Sequence, residues 1–406
     1  MASYTSPEMA EKDMKTIVSV TPVAVTSDSR TFKMAASFTR FGFRSIVVEG
    51  AKSEFQPNDL PFELFEVRGG VVFSTSRDFF DASASQGRSS IKKVKYWLTR
   101  LAKPFLNQIR TFISLPNASL YYLHSFYQFP AVFLKSRLLG VKYIYDAHDY
   151  YQDENPGMLN KWVETLCIKF AAAVVTVSGG VARLLKGKFN CTPIVIRNCH
   201  DSRLEEEPAQ NLRQYLGLSG KEFLIVVVGQ AKDGMAVEEA LEALASVPSH
   251  VHLAFVGKNT HNFSALVEQS PRPENIHLVP PVLPGQVVPF IRSADVALIL
   301  YYPRTDNYKS CLPNGFFQSI SAELPLLYPD LPEISRLASK YQLGISINTQ
   351  SANDIANGIL QFVRGKGVQY KDNLAKASSE LSWEREEQIL RNLVEGLLFH
   401  SSRKQE

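Results

Sequence analysis

Three places in this sequence put polar or charged side chains directly after apolar runs of strand length, where folding would gather them at one end of a sheet. In the first, EFLIVVVG closes on Gly229 and continues as Gln230-Ala231-Lys232-Asp233-Gly234 ahead of a helical pattern. A glycine-led turn into a helix leaves backbone N–H groups free to face an anion such as phosphate, and Lys232 is the nearest cation. In the second, the loop YYPRTDNYKSCLPN carries Arg304 and Lys309 toward Leu312, Pro313 and Asn314, and Pro313 is placed to set the first turn of an apolar helix. The positive end of that helix is a second seat for negative charge. In the third, LYYLHS and KYIYDAHD end in His124 and in Asp146, His148 and Asp149. A neutral imidazole near pH 7 suits hydrogen bonding to a hydroxyl. For such strand-end groups a satisfied structural hydrogen-bond network is the competing reading.

The elements that must position these residues follow from the hydrophobic pattern. TIVSVTPV, a helix over about Ser29–Phe41, SIVVEG, LYYLHS, KYIYDAH and VVTVSG alternate strand and helix, and FLIVVVG, VHLAFVG, IHLVPPV, DVALILYY and LPLLYPD repeat the alternation. Strands separated by crossover helices make parallel, doubly wound α/β sheets. At 406 residues the chain exceeds what one core organises, so two domains are expected. The expected division is a disordered N-terminus at 1–14, a first domain at 15–200 with an insert at 82–115, and a linker at 201–221. A second domain at 222–380 and a C-terminal helix at 381–400, opened by Ser382 and packing back across the domains, complete it. In such sheets ligands bind outside the C-terminal strand ends.

Composition is that of an ordinary globular protein, 45% hydrophobic and 21% charged, with a formal charge of +4. That charge is too mild to point to nucleic acid. Cys167, Cys191, Cys199 and Cys311 form no CxxC pair and no metal-ligand spacing, so reduced thiols of a cytosolic protein are expected. The polar start MASYTSPEMAEKDMK has no signal-peptide pattern, and no apolar run reaches the roughly 18 to 20 residues that span a bilayer.

Residues 301–333 resemble the donor loop of retaining glycosyltransferases of family four, glycosyl transferase group 1 type, in the variant YP-x-N-x-x-x-LPNK-x-FEY-x-AAGLPV. The frame is present at Leu312, Pro313, Asn314, Phe317, Ala322, Leu324 and Pro325, with Gly315 for Lys, Gln318 for Glu and Glu323 for Gly. The resemblance implies a GT-B fold, two Rossmann-like domains facing a central cleft. It implies a donor half made of Gly229, Lys232, Arg304, Lys309, Leu312, Pro313, Asn314 and Gln318, with Val282 and Leu283 of NIHLVPPVLP against the base. Met235 and Ala236 stand where related sequences often have Arg and Gly. LYYLHSFYQFPA resembles YHAHDxxxxPA, placing His124 at the cleft histidine with Ser125 for the neighbouring Asp. Asp28, Arg30, Lys33 and Ala35 match D-x-R-x-x-K-x-A, and YIYDAHDYY resembles YDSHE, so Asp28, Arg30, His148 and Asp149 are expected on the acceptor side. His124 and Lys232 are the expected catalytic residues. Transfer would be front-face and metal-independent, with the leaving phosphate taking the acceptor proton.

The insert is a separate signal. From Ala82 to Leu115 there is no Asp or Glu, while Arg88, Lys92, Lys93, Lys95, Arg100, Lys103 and Arg110 recur among Ile91, Val94, Leu98, Leu101, Phe105, Ile109 and Phe112, with Trp97 beside them. One apolar and one cationic face is the profile of an interfacial helix on anionic lipid. Lys92, Lys93, Lys95, Trp97, Arg100 and Lys103 would make that contact. A solvated basic helix packed on the first domain is the alternative.

The expected function is therefore a hexosyl-type glycosyltransferase, cytoplasmic and peripheral at the inner face of the membrane. It would use no cofactor and no metal, take a UDP- or GDP-linked sugar, and serve a lipid-linked or polysaccharide acceptor in cell-surface glycan synthesis. A non-catalytic module of the same fold, binding nucleotide or a partner protein, remains the alternative.

Overall fold

The computed structural model describes residues 14–25, 28–51, 60–66, 105–153, 157–229, 235–258 and 263–399. The insert positions Lys92, Lys93, Lys95, Trp97, Arg100 and Lys103, together with Lys232, lie outside the described residues. The chain divides into two compact units. The first takes the described residues up to Thr176, then Leu184–Ile194 and those from Ile389 on; the second takes Val177–Arg183 and Val195–Gln388.

The first unit is built on β1 (Thr16–Thr21), β2 (Arg44–Glu49), β3 (Glu63–Glu66), β4 (Leu120–Leu123), β5 (Lys142–Ala147), β6 (Ala173–Thr176) and β7 (Ile194–Val195). They form a seven-stranded sheet in the order β3-β2-β1-β4-β5-β6-β7. Every pair from β3 through β6 is parallel, with Val18 opposite both Ile46 and Tyr121. Burial on both faces explains why β1 and β4 read as near-continuous apolar runs. The order reverses between β1 and β4, which makes their C-terminal ends the place for a ligand.

The second unit holds β8 (Phe223–Val228), β9 (Val251–Val256), β10 (Ile276–Val279), β11 (Val296–Leu298), β12 (Leu326–Pro329) and β13 (Gly344–Ile347). Their order is β10-β9-β8-β11-β12-β13, parallel throughout, so the reversal falls between β8 and β11. Two apolar layers flank the sheet, one including Leu224, Val226, Phe316, Phe317 and Ile320, the other Ile225, Val227, Phe255, Ile355 and Ile359.

Residues 201–221, expected as a linker, pack into the second unit instead. Leu212 is fully buried. Arg213 ties the segment down through Asp295 at 2.7 Å and the Glu222 carbonyl at 2.8 Å. The Trp383–Phe399 helix starts in the second unit and ends in the first. Trp383 is buried and its N–H donates to the His200 carbonyl at 2.9 Å. At the other end Lys15 Nζ donates to the Leu398 carbonyl at 2.8 Å, and the rings of Phe43 and Phe399 stack.

Candidate functional site

In the first unit, the switch point between β1 and β4 is filled by side chains. Asp28 caps the Ser29–Arg40 helix, accepting from the N–H groups of Arg30 at 3.1 Å and Thr31 at 3.3 Å and from the Thr31 hydroxyl at 2.6 Å. Two residues on, Arg30 turns inward and grips Asp146 at the end of β5 with Nε and Nη2, both at 2.9 Å. Tyr122 of β4 donates its hydroxyl to the same carboxylate at 3.2 Å. Arg30, Asp146 and Tyr122 are all buried, so this is a desolvated bidentate pair reinforced by a phenol.

Two histidines complete the group. His124 Nδ1 lies 3.4 Å from His148 Nε2, and each is near the Asp146 carboxylate, at 3.8 and 3.6 Å. Their titration is pushed apart. Burial, helped by the neighbouring His148, drives the His124 pKa down to about 3, so its imidazole is neutral at physiological pH. His148 is also penalised by burial, but the Asp146 carboxylate outweighs that and raises its pKa above the ordinary value. Asp146 moves the opposite way: burial would raise it, yet Arg30 and His148 hold its carboxyl well below the usual range. His148 opens outward, its side chain about 21% exposed, while His124 Nε2 is buried without a hydrogen-bond partner among the described residues. An orphaned buried nitrogen is the kind of atom that a ligand group satisfies. Asp149 follows in a half-buried turn.

His124, Asp146 and His148 bring one ligand atom each within 4.8 Å of one another, close enough to surround a metal ion. The chemistry of the set argues against one. Both Asp146 oxygens already accept from Arg30, and that fixed guanidinium would repel a dication.

At the end of β8, on one side of its switch point, and of the neighbouring β9, the second unit presents backbone. Gly229 follows β8 with φ of +117°, and Gly257 follows β9 with φ of +152°. A Cβ on Gly257 would sit 2.2 Å from the Gly229 carbonyl oxygen. The Asn314–Ser321 helix completes the cradle: a Cβ on Gly315 would lie 2.5 Å from the Val228 carbonyl oxygen. The departure from Lys at position 315 thus has a steric cause, because the first turn of the helix rests on the end of β8. Pro313 stands one position earlier than expected, at the N-cap with extended backbone, and Asn314 opens the helix. The Asn314 side-chain oxygen accepts from Asn198 Nδ2. Glu323, at the family's glycine position, has φ of +57°, so the left-handed turn survives with a residue that dislikes it.

The remaining donor-side residues are spread along this unit. Leu312 is buried in the core and Val282 packs against it. The Leu283 carbonyl closes a turn with the Gln286 N–H at 2.8 Å. Gln318 is half-buried on the helix. Arg304 is exposed over the Tyr302 ring, and Lys309 reaches Asp306 at 3.5 Å on the Asp306–Ser310 helix. Two contributors were missed in the sequence. Gly257 closes VHLAFVG just as Gly229 closes FLIVVVG, a parallel that was there to be read. Tyr122 was hidden, because its strand LYYL reads as plain core.

No protein-family model matches the sequence, and no curated protein matches it. Solved structures do. Sucrose-phosphate synthase from Thermosynechococcus elongatus superposes with a TM-score of 0.72 at 14% identity, over 94% of this chain and 99% of its own. Anabaena HepE in complex with UDP and glucose gives 0.66 at 16% identity, over 94% and 100%. WaaG, a glycosyltransferase involved in lipopolysaccharide biosynthesis, gives 0.63 at 14% identity, over 93% and 100%. The fold is that of the GT-B glycosyltransferases.

Proposed function

We propose that this chain is a retaining, hexosyl-type glycosyltransferase that moves a sugar from a uridine or guanosine diphosphate to a lipid-linked or polysaccharide acceptor at the cytoplasmic face of a membrane. The observation that carries the reading is the backbone cradle at the end of β8, where Gly257 and Gly315 have no room for a Cβ and Gly229 takes a positive φ that favours glycine. A diphosphate is held by a helix N-terminus at close range; the N–H groups of Gly229 and Gly257 already donate to the Val256 and Val279 carbonyls, so the start of the Asn314–Ser321 helix is what this surface offers. HepE, which shares the fold, binds UDP and glucose, and WaaG's role in lipopolysaccharide synthesis favours a lipid-linked glycan as acceptor.

In this reading the β8 cradle, Lys232, Arg304 and Lys309 stabilise the diphosphate as it leaves, the step at which charge develops. Gln318 bonds the ribose, and Val282 and Leu283 lie by the base. His124 Nε2 hydrogen-bonds a sugar or acceptor hydroxyl, while His148 and the helix entry at Asp28 and Arg30 keep that neutral imidazole in place. The bond from the anomeric carbon to phosphate oxygen breaks, the bond to the acceptor oxygen forms on the same face, and the leaving phosphate takes the acceptor proton. No carboxylate base and no metal enters. The basic insert holds the enzyme by its acceptor.

The test is a titration of the purified protein with UDP, GDP and their glucose and mannose conjugates, following the melting temperature and release of nucleoside diphosphate. A rise of several degrees with one base, and slow donor hydrolysis, are expected. No shift with any nucleotide sinks the reading. A shift without turnover in the presence of membrane glycolipid would favour the non-catalytic module.

A further inference from the structure

The first unit carries a second feature that the reaction does not use. The helices at 105–114, Phe129–Leu139 and Gly157–Phe170 precede β4, β5 and β6, and each crossover runs the same way along the sheet, so right-handed connections place all three on one face. They touch. Gln108 Nε2 donates to the Tyr127 carbonyl at 2.7 Å and its Oε1 accepts from the Ala131 N–H at 3.2 Å, while Phe133 packs on Phe170 at 5.0 Å. A buried helix layer would turn its apolar residues inward. Here Ile113, Leu134, Leu138, Met158, Leu159 and Trp162 face out, Met158 at 89% and Trp162 at 61% exposure.

The charges around them have one sign. Arg110, Lys135, Arg137, Lys161 and Lys169 lie on these helices, and their single acid, Glu164, is buried against Tyr145 and Gln152. Several cations fold over rings, Arg137 over Phe133 and Phe170 and Lys135 over Phe112, as amphipathic side chains do beside an apolar phase. We infer that this three-helix face docks on an anionic lipid bilayer, with Met158, Leu159 and Trp162 inserted among the acyl chains and the lysines and arginines at the headgroups. Charge decides the occupant. A second copy would bring cations onto cations, and so would the remainder of the insert, which from 82 to 104 has no acid. An apolar layer under a negative surface matches both properties. The inference rests on the membrane part of the proposed function and extends the contact from the insert, whose last part is the 105–114 helix, to the two helices that follow it.

Tryptophan supplies the probe. The chain has three, and Trp383 is buried, so in full-length protein carrying Trp97→Phe the exposed reporter is Trp162. With vesicles of phosphatidylglycerol and phosphatidylcholine, Trp162 emission should shift to the blue and be quenched by brominated acyl chains. Pure phosphatidylcholine should give neither effect. The triple variant Met158→Ser, Leu159→Ser, Trp162→Ser should lose about tenfold or more in vesicle partitioning. Its melting temperature and nucleotide-induced shift should stay unchanged, which separates lost docking from lost folding. If the protein floats with vesicles while Trp162 stays unquenched and the triple variant floats equally, attachment is through the insert and this inference falls while the membrane reading stands. If nothing floats, both fall, and donor binding still judges the transferase. Two further results overturn it: Trp162 already shielded from acrylamide in free protein, meaning that the chain covers its own face, and self-association abolished by the triple variant, meaning that a second copy does.

Discussion

The two units share a topology and differ in what stands at its reversal. In the first, the space beyond β1, β4 and β5 is packed with Arg30, Asp146, Tyr122 and two histidines. In the second, the end of β8, which corresponds to β1, and that of its neighbour β9 are glycine. Charged side chains in a dry interior hold one another fixed and leave a single edge, His148, to meet water. Backbone packed on backbone leaves no place for side chains and brings the positive end of the Asn314–Ser321 helix to the strand end. One fold thus yields two kinds of site, one whose shape depends on charge balance and one whose shape depends on the lack of Cβ atoms.

That contrast can be broken from either side. Arg30→Ala should be the most damaging change, because it strands a buried carboxylate; a loss of about 3–5 kcal/mol is expected by denaturant titration. The pH profile comes next. His124, with its folded pKa lowered to about 3, stabilises the fold fully above the ordinary histidine range and loses that contribution as pH falls toward 3, at up to about 1.4 kcal/mol per pH unit. His148, raised, acts in reverse: its contribution is complete below about pH 6.5 and fades as pH rises through its folded value. Asp28 and Asp146, both lowered, add to the acid loss below about pH 4. Stability should therefore peak near pH 6.5, and His124→Asn should flatten the acid limb in thermal melts. On the other side, Gly315→Lys should cost about 1–3 kcal/mol by forcing the helix off Val228, and should erase the nucleotide-induced shift. Gln318→Glu should leave stability alone and tighten nucleotide binding by up to about tenfold in calorimetry, by restoring a charge-assisted bond. Smallest, Glu323→Gly should raise stability by about 1 kcal/mol through relief of its left-handed backbone, without changing nucleotide binding. A Gly315→Lys protein that still binds nucleotide would end the idea that bare backbone makes the second site.

Much of this was legible in the sequence for a physical reason. Parallel strands buried on both faces advertise themselves as apolar runs, so FLIVVVG and VHLAFVG were legible as strands of the second sheet and Gly229 as the end of one, while Gly257 was missed. Polar groups were legible only where they followed such runs, as His124 and His148 do. Arg30 was expected on the acceptor side, but its pairing with Asp146 was not legible, because a partner 116 positions away leaves no local pattern. Gly315 looked like a loss of charge in the family frame, and only its distance to Val228 shows it as a fit. The second and third helices of the three-helix face escaped for the opposite reason. Their apolar residues have ordinary helical spacing, and periodicity does not distinguish a stripe that is covered from one that is not.

The Trp383–Phe399 helix sets an order of events during synthesis. Lys15, at the start of β1, is bonded to the carbonyl of Leu398, 383 positions later, and Phe43 waits for Phe399. The first unit is translated early yet stays unsealed until almost everything described here has left the ribosome. The second, whose strands span 223–347, can close on itself before then. A nascent chain therefore carries an open first sheet for most of its elongation time, and a stop codon placed before Trp383 would injure the half of the molecule made first.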